Sequence, residues 1–311
     1  MPYNNVISRT DAQATIPEEV GAELTRGAVQ ASAGMTLFRR VNISTNQQRM
    51  PVLSALPTAY FVNGDTGLKQ TTEVAWDNKY LNVEEVAAIV PIPEAVLDDS
   101  SFDVWGEVRP LLEEAIGRTV DAAVFFGVNK PASWPDDIET TATTATQTVT
   151  RGTATAAQGG VAEDINSAFS LVEVDGFDNN GIIARTNYKG LLRGARDANG
   201  QKHPEVNPTE AYGVGITYPM RGLWTVGSGE TELITGDFTQ GIFGLRQDYT
   251  YKVLDQAVIQ DGTGTIIFNL AQQDMVALRI VARYAWQVAN VITRDEETEA
   301  DRWPFALVLA P

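Results

Sequence analysis

The chain contains no cysteine and a single histidine in 311 residues. The first absence excludes disulfides, thiolate metal sites and a cysteine nucleophile, and points to maturation in a reducing cytosol. The second leaves any histidine-based dyad or zinc site resting on His203 alone, in the polar run DANGQKHPEVNP, where a surface loop residue is the simpler reading. Long apolar runs are missing too: there is no window of about 18 apolar residues, and MPYNNVISRTDAQATIPEEV has no basic stretch leading into an apolar one. Neither a membrane span nor a secretory signal is expected. Positive charge is scarce, with 23 Lys and Arg against 40 Asp and Glu and a net charge of −17. Affinity for phosphate comes largely from Lys and Arg, so nonspecific nucleic-acid binding over the whole surface is disfavoured.

Motifs that carry catalysis are absent as well. The sequence has no P-loop, no GxGxxG after a strand, no HExxH, no GxSxG and no EF-hand loop. Adjacent carboxylates such as Glu84-Glu85 and Asp98-Asp99 point in different directions in a strand or turn. The acidic run Asp295-Glu296-Glu297 with Glu299 and Asp301 lacks the spaced ligands and glycine of a calcium loop. No catalytic residue, cofactor or metal ligand is therefore assigned.

What is present is a globular chain, 43% hydrophobic and 20% charged, with room for a large core and two domains. Its most organised stretch runs from Tyr80 to Gly127. Val83 to Ile92 is rich in β-branched residues and is bounded by Pro91 and Pro93, which suit a sheet edge or a strand exit. The acidic turn Asp98-Asp99-Ser100-Ser101 follows, able to accept the free N–H groups of a helix start. Trp105, Val108, Leu112, Ala115, Ile116, Val120, Ala123 and Val124 then recur at helical spacing, opposite a charged face of Glu107, Glu113, Glu114, Arg118 and Asp121. With Gly127 as its stop, this helix would run about 25 residues, or roughly 37 Å. Pro110, four residues after Gly106, predicts a kink or an early break.

Upstream, IPEEVGAELTRGAVQAS predicts a short helix within an extended arm, and GMTLFRRVNIS returns to strand-like composition. MPVLSALPTAYFV and TTEVAW, around Asn63-Gly64-Asp65 and Gly67, form a hairpin signature. Leu56, Tyr60, Phe61 and Trp76 in it are either core residues or an interface, because nothing nearby in sequence covers them. Downstream, the Thr/Ala-rich tract at 139–158 predicts a surface loop or β-excursion. Val161 to Val174 is helical in pattern, Gly181 to Ala184 a buried strand, and Asn187 to Gly200 a helix closing in the turn Asp-Ala-Asn-Gly. Short strands are expected in GITYPM, GLWTVG, TELITGDF and GIFGLRQDYTYKVL. Asp274 to Asn290 alternates with period two, which predicts a long strand buried on one face, and PFALVLA is a closing strand.

Several of these runs are similar to tailed-bacteriophage major capsid proteins of the Hong Kong 97-like fold. VEEVAAIVPIPEAVLDDS resembles that family's strand leading into the spine helix, and PTAYFVNGDTGLKQTTEVAWDNKYLNVEEV its extended loop. NNGIIARTNYKGLLRGARDANG, LITGDFTQGIFGLRQDYTYKVLD and DMVALRIVARYAWQVAN follow in the family's order. The resemblance covers residues from about 35 to 310. It implies an α+β fold with an N-terminal arm at 1–33, an extended β-hairpin loop at 44–79, a peripheral domain with the spine helix at 34–43, 80–127 and 252–290, and an axial domain at 128–251 and 291–311.

It also implies a structural protein, not an enzyme: pentamers and hexamers of an icosahedral shell around double-stranded DNA, without sequence-specific DNA binding and without a membrane. Portal and decoration or minor capsid proteins are the partners implied. Such a protein assembles in the host cytoplasm and ends in the virion. Only about 30 residues precede the body, so a separate scaffolding protein, or none, is expected. The interface candidates are Leu56, Tyr60, Phe61, Lys69 and Trp76. Some members join subunits by a Lys–Asn isopeptide bond; Lys69 and Asn269 lie near the corresponding places. Asn269 is offset by about a position and no catalytic Glu is assignable, so a plain polar pair is expected. Two rivals remain, an encapsulin-like bacterial compartment shell holding cargo enzymes, and an α/β enzyme without a recognisable motif.

Overall fold

The computed structural model describes residues 31–62, 67–100, 103–196, 199–219, 222–225 and 227–311. In chain order the elements are α1 (Ala33–Leu37), β1 (Arg39–Asn42), β2 (Gln47–Ala55), β3 (Ala75–Asn82), β4 (Glu84–Pro93), α2 (Glu94–Asp99), α3 (Val104–Phe126), α4 (Ile138–Thr144) and β5 (Thr148–Thr150). They continue with α5 (Val161–Val174), β6 (Gly181–Ala184), α6 (Tyr188–Gly194), β7 (Glu210–Ala211), β8 (Val214–Thr217), β9 (Thr231–Gly236) and β10 (Gly241–Leu254). The last are β11 (Val258–Gln260), β12 (Ile266–Asn269), β13 (Met275–Val288) and β14 (Phe305–Leu309). The helix expected in 16–32 lies outside the described residues except for its end, and so do Asn63 to Asp65 and Asp197-Ala198 of the two expected turns.

Helix and sheet are mixed, as an α+β chain requires. One sheet has the order β1-β10-β13-β4, with β1 parallel to β10 and the other pairs antiparallel. A second, six-stranded, has the order β5-β14-β9-β6-β8-β7, and β2-β3 and β11-β12 form two-stranded ribbons. Strand β4 is an edge, where Pro91 and Pro93 leave no inner neighbour without a donor. The period-two expectation for β13 holds: Leu278, Ile280, Ala282, Tyr284, Trp286 and Val288 enter one core. The expected boundary at 251/252 falls within β10, which runs unbroken from Gly241 to Leu254.

One face of α3 packs on both sheets. Leu112, Ile116, Val120, Ala123 and Val124 share a core with Leu278, Tyr284 and Trp286 of β13 and with Ile234 and Phe305 of the six-stranded sheet. That sheet is buried on both sides, so its strands alternate between two cores. Phe305 and Leu307 of β14 meet α3, whereas Ala306 and Val308 meet α5 and α6. The chain passes from one sheet to the other at Gly236-Asp237-Phe238-Thr239-Gln240. There the Asp237 carboxylate accepts from Thr239 N at 3.0 Å, Thr239 Oγ1 at 2.6 Å and Gln240 Nε2 at 3.1 Å. The Phe238 ring lies 5.7 Å from Phe38 and 5.3 Å from Phe305.

Several local expectations are corrected. The spine helix starts at Val104, capped by Asp103, whose carboxylate accepts from Gly106 N at 3.0 Å; Asp98 and Asp99 instead end the short helix α2. Of the kink or early break expected at Pro110, the break does not occur: helix α3 is continuous to Phe126 and closes at Gly127 in the left-handed region. Pro110 is the seventh helical residue and gives no N–H to the Gly106 carbonyl, so the helix continues without that one bond. Gly34 to Ser44 begins as α1 rather than strand, because Ser32 caps it through Met35 N at 3.0 Å. Of the loop or β-excursion expected in the Thr/Ala tract, the β-excursion is present as β5, which adds an edge to the six-stranded sheet, but α4 occupies the first part, with Ile138 and Ala142 buried one turn apart. Among the described residues of GLWTVG none lies in a strand, and Trp224 packs instead against Phe126 at 5.2 Å. His203 is half-buried, edge-on to Tyr212 at 6.1 Å.

The largest departure is Asp121. Expected on the charged face of the spine helix, it is fully buried. Its carboxylate accepts from Ser32 Oγ at 2.6 Å, Ala33 N at 2.9 Å and Gly34 N at 3.0 Å, which pins the start of α1 to α3. Burial raises its pKa from 3.8 to about 6, against the lowering effect of those three bonds. A carboxyl whose folded pKa lies above the unfolded one stabilises the fold below about pH 4, and that contribution is lost as pH rises through about 6. The size is about 3 kcal/mol. Urea midpoints of the unassembled protein and of Asp121→Asn, compared between pH 4 and 7, are expected to differ by an amount that falls with rising pH in the native chain's disfavour. Equal pH slopes would contradict this. At the sheet crossing, a Cβ on Gly236 would sit 2.1 Å from Pro304 O, so Gly236→Ala is expected to lower the unfolding free energy, read from denaturant titration, by about 3 kcal/mol.

Candidate subunit interface

Strands β2 and β3 pair antiparallel from Gln47↔Asn82 to Ala55↔Ala75. This is the expected hairpin, shorter in its paired part than the composition suggested. Strand β2 stops before Pro57, which has no N–H to give, and β3 starts only at Ala75. Beyond the strands the two arms stay in touch through Thr58 N to Thr72 Oγ1 at 2.9 Å and Tyr60 OH to Gln70 O at 2.9 Å.

The root of the hairpin is part of the body. Leu81 and Val83 are buried with Ile43, Ile242, Ala285 and Ala289 on the face of the four-stranded sheet that α3 leaves open. Asn82 Nδ2 donates to Ser133 O at 2.8 Å, and Trp134 Nε1 donates to Asn82 O at 3.1 Å. The outer half is different. Phe61 is 105% exposed, Leu68 89% and Trp76 63%, with Tyr60, Val62 and Val74 also exposed. Of the sequence candidates, Tyr60, Phe61, Lys69 and Trp76 lie on this open half, and Leu56 is half-buried just past β2. Leu68, Val62 and Val74 were missed, although LSALPTAYFV already showed the apolar run to which Val62 belongs.

A second uncovered hairpin is formed by β11 and β12, with Val258, Ile266 and Ile267 exposed. Its turn is held by Asp261 Oδ1, which accepts from Thr263 Oγ1 at 2.7 Å, Thr263 N at 2.9 Å and Thr265 N at 2.9 Å. The Thr263 hydroxyl and the amides of Thr265 and Thr263 hold that carboxyl below its ordinary range. Asn269 ends β12 and is engaged locally, its Nδ2 donating to Gln272 Oε1 at 2.8 Å and its N–H to Gln273 Oε1 at 3.0 Å. Among the described residues, no group of three or more His, Cys, Asp and Glu could hold a metal ion. No helix there is long and apolar enough to cross a membrane.

A chain with a long helix across two sheets and two uncovered apolar hairpins is built to meet other chains. A model of the phage capsid family matches residues 12–291. The chain belongs to the phage capsid family. It is 25% identical over 294 residues to the major capsid protein of Staphylococcus phage 80alpha, covering 92% of this chain and 86% of that one. Among solved structures, a chain from Microbacterium phage Oxtober96 is 37% identical with a TM-score of 0.84, over 99% of this chain and 100% of the other. One from Mycobacterium phage Bobi is 32% identical with a TM-score of 0.84, over 99% of each. The fold is the Hong Kong 97-like one expected from sequence. As a member of the phage capsid family, the subunit has a structural role: copies of it assemble into the shell of a virion.

The contrast between root and tip can be measured on unassembled subunits. Leu81→Ala, which opens a cavity in a packed cluster, is expected to cost about 2–4 kcal/mol of unfolding free energy. Phe61→Ala touches nothing in its own chain and is expected to stay within about 0.5 kcal/mol of the native value.

Proposed function

We infer that the subunit forms the pentamers and hexamers of an icosahedral phage head around double-stranded DNA, and that the outer half of the β2–β3 hairpin is the arm by which each copy overlaps a neighbour. The observation that carries this is the exposure of Phe61, Leu68 and Trp76 on a hairpin whose root is packed in the body. Apolar groups held out on a firmly rooted support gain nothing within one chain, whereas aromatic anchors at an interface are where binding energy concentrates. Many such contacts, each modest, sum to a stable shell. The family match and the phage relatives support a viral shell over a cargo compartment.

In this reading the four-stranded sheet with α3 is the peripheral domain, the six-stranded sheet with α5 and α6 is the axial domain, and the chain carries no catalytic step. Assembly takes place in the host cytoplasm, with a portal and with separate scaffolding or decoration proteins as partners. The net charge of −17 suits a shell whose inner surface must not adhere to packed DNA. Lys69 and Asn269 act as polar surface residues rather than as a cross-linking pair.

Purified protein imaged by negative-stain electron microscopy is expected to show closed shells or discrete pentamers and hexamers, alone or with co-expressed head proteins. A monodisperse monomer under all these conditions would overturn the reading. Phe61→Ala combined with Trp76→Ala is expected to reduce the assembled fraction at least tenfold, since two anchors worth about 2 kcal/mol each are removed from every contact. Assembled shells boiled in detergent are expected to run as a single band at 33.8 kDa, and a ladder of multiples would restore the cross-link.

A further inference from the structure

The acidic segment between β13 and β14 has no regular structure, yet it is stapled at many points. Arg302 is 3% exposed; its Nη1 donates to Glu296 O at 2.9 Å, its Nη2 to Asn290 O at 3.1 Å and its Nε to Asn290 Oδ1 at 3.3 Å. Asn290 Nδ2 returns a bond to Arg302 O at 3.0 Å, and Thr293 Oγ1 donates to Asp175 O at 2.6 Å, at the end of α5. A loop fixed this firmly has few ways to move. From it two side chains reach the hairpin. Glu299 Oε1 lies 2.8 Å from Lys79 Nζ on β3, and Arg294 Nη2 donates to Pro57 O at 2.5 Å, past the end of β2.

The two grips hold opposite arms of the hairpin, and both lie beyond its packed root at Leu81 and Val83. The loop also carries the chain from the four-stranded sheet, which contains β13, to the six-stranded sheet, which contains β14. We propose that residues 290–302 form a bracket that sets the angle at which the β2–β3 hairpin leaves the body, with Arg294, Glu299 and Lys79 as positioning residues. The bracket ties that angle to the junction of the two sheets, so a change in how the sheets sit is passed to the hairpin. Its consequence for shell size rests on the hairpin being the contact arm, as inferred above; the bracket itself does not.

The absence of cysteine makes the test direct, because Gln70→Cys and Glu173→Cys give two unique spin-label positions, one on the hairpin and one on α5. In unassembled subunits, pulsed electron resonance is expected to give one narrow distance distribution. Lys79→Glu and Glu299→Lys should each broaden and shift it, the two together should restore it, and Arg294→Ala should broaden it again. Single variants that leave the distribution unchanged would overturn the bracket, and so would a charge swap that fails to restore it. The same variants imaged as shells separate the two inferences. Broadened hairpin distances with heterogeneous shell diameters support both, whereas broadened distances with unchanged diameters retain the bracket and count against the hairpin as contact arm.

Discussion

Everything in this subunit depends on α3 burying one stripe against two sheets at once. A helix of 23 residues is about 35 Å long, more than a single small sheet can cover, and its apolar face is satisfied only because the sheets lie side by side along it. The strands answer with period two. In β9 and β14, odd and even residues go to different cores, so the six-stranded sheet is filled on both faces while sharing one with the helix. The crossing between the sheets is correspondingly tight. Phe38, Phe125, Phe238 and Phe305 meet there, and the neighbouring glycines, Gly236 and Gly241, have no room for a side chain.

This arrangement explains why the hairpin can extend without unfolding the body. Its root contributes to the third core, on the far side of the four-stranded sheet, so the strands that leave are anchored by burial rather than by their own pairing. A two-stranded ribbon alone is marginal in water. Here rigidity is lent by Trp134, by Gln287 Nε2 donating to Tyr80 O at 3.3 Å, and by the ion pair of Lys79 with Glu299. The aromatic residues beyond these supports are then presented rather than collapsed.

Much of this was legible in the sequence because it is local and periodic. The long strand β13, the helix α5, the short strand β6 and the closing strand β14 follow from spacing alone, and Gly127 marks the end of α3 through a backbone conformation that favours glycine. The hairpin was legible as two β-prone runs, but its paired length was not, since Pro57 and the residues after it keep strand composition without strand pairing. The Thr/Ala tract misled for the opposite reason. Low complexity suggested a loop or β-excursion, while Asp137 caps a helix by accepting from Thr140 N at 2.9 Å and the hydroxyls of Thr141, Thr143 and Thr144 are satisfied by carbonyls four residues back.

By itself, the sequence determined the types of the long periodic elements, the absence of thiol chemistry, the acidic character and the family, because each is written in residue identity and short-range spacing. Tertiary structure alone decided which polar groups are buried and which apolar ones are not. Asp121 reads as one more charge on an amphipathic helix until residues 32–34, some 88 positions away, bring their donors to it. Phe61 reads equally as a core aromatic or an interface one until the fold leaves it exposed. For these two residues burial is decided by contacts, or their absence, between distant segments, which local spacing does not record.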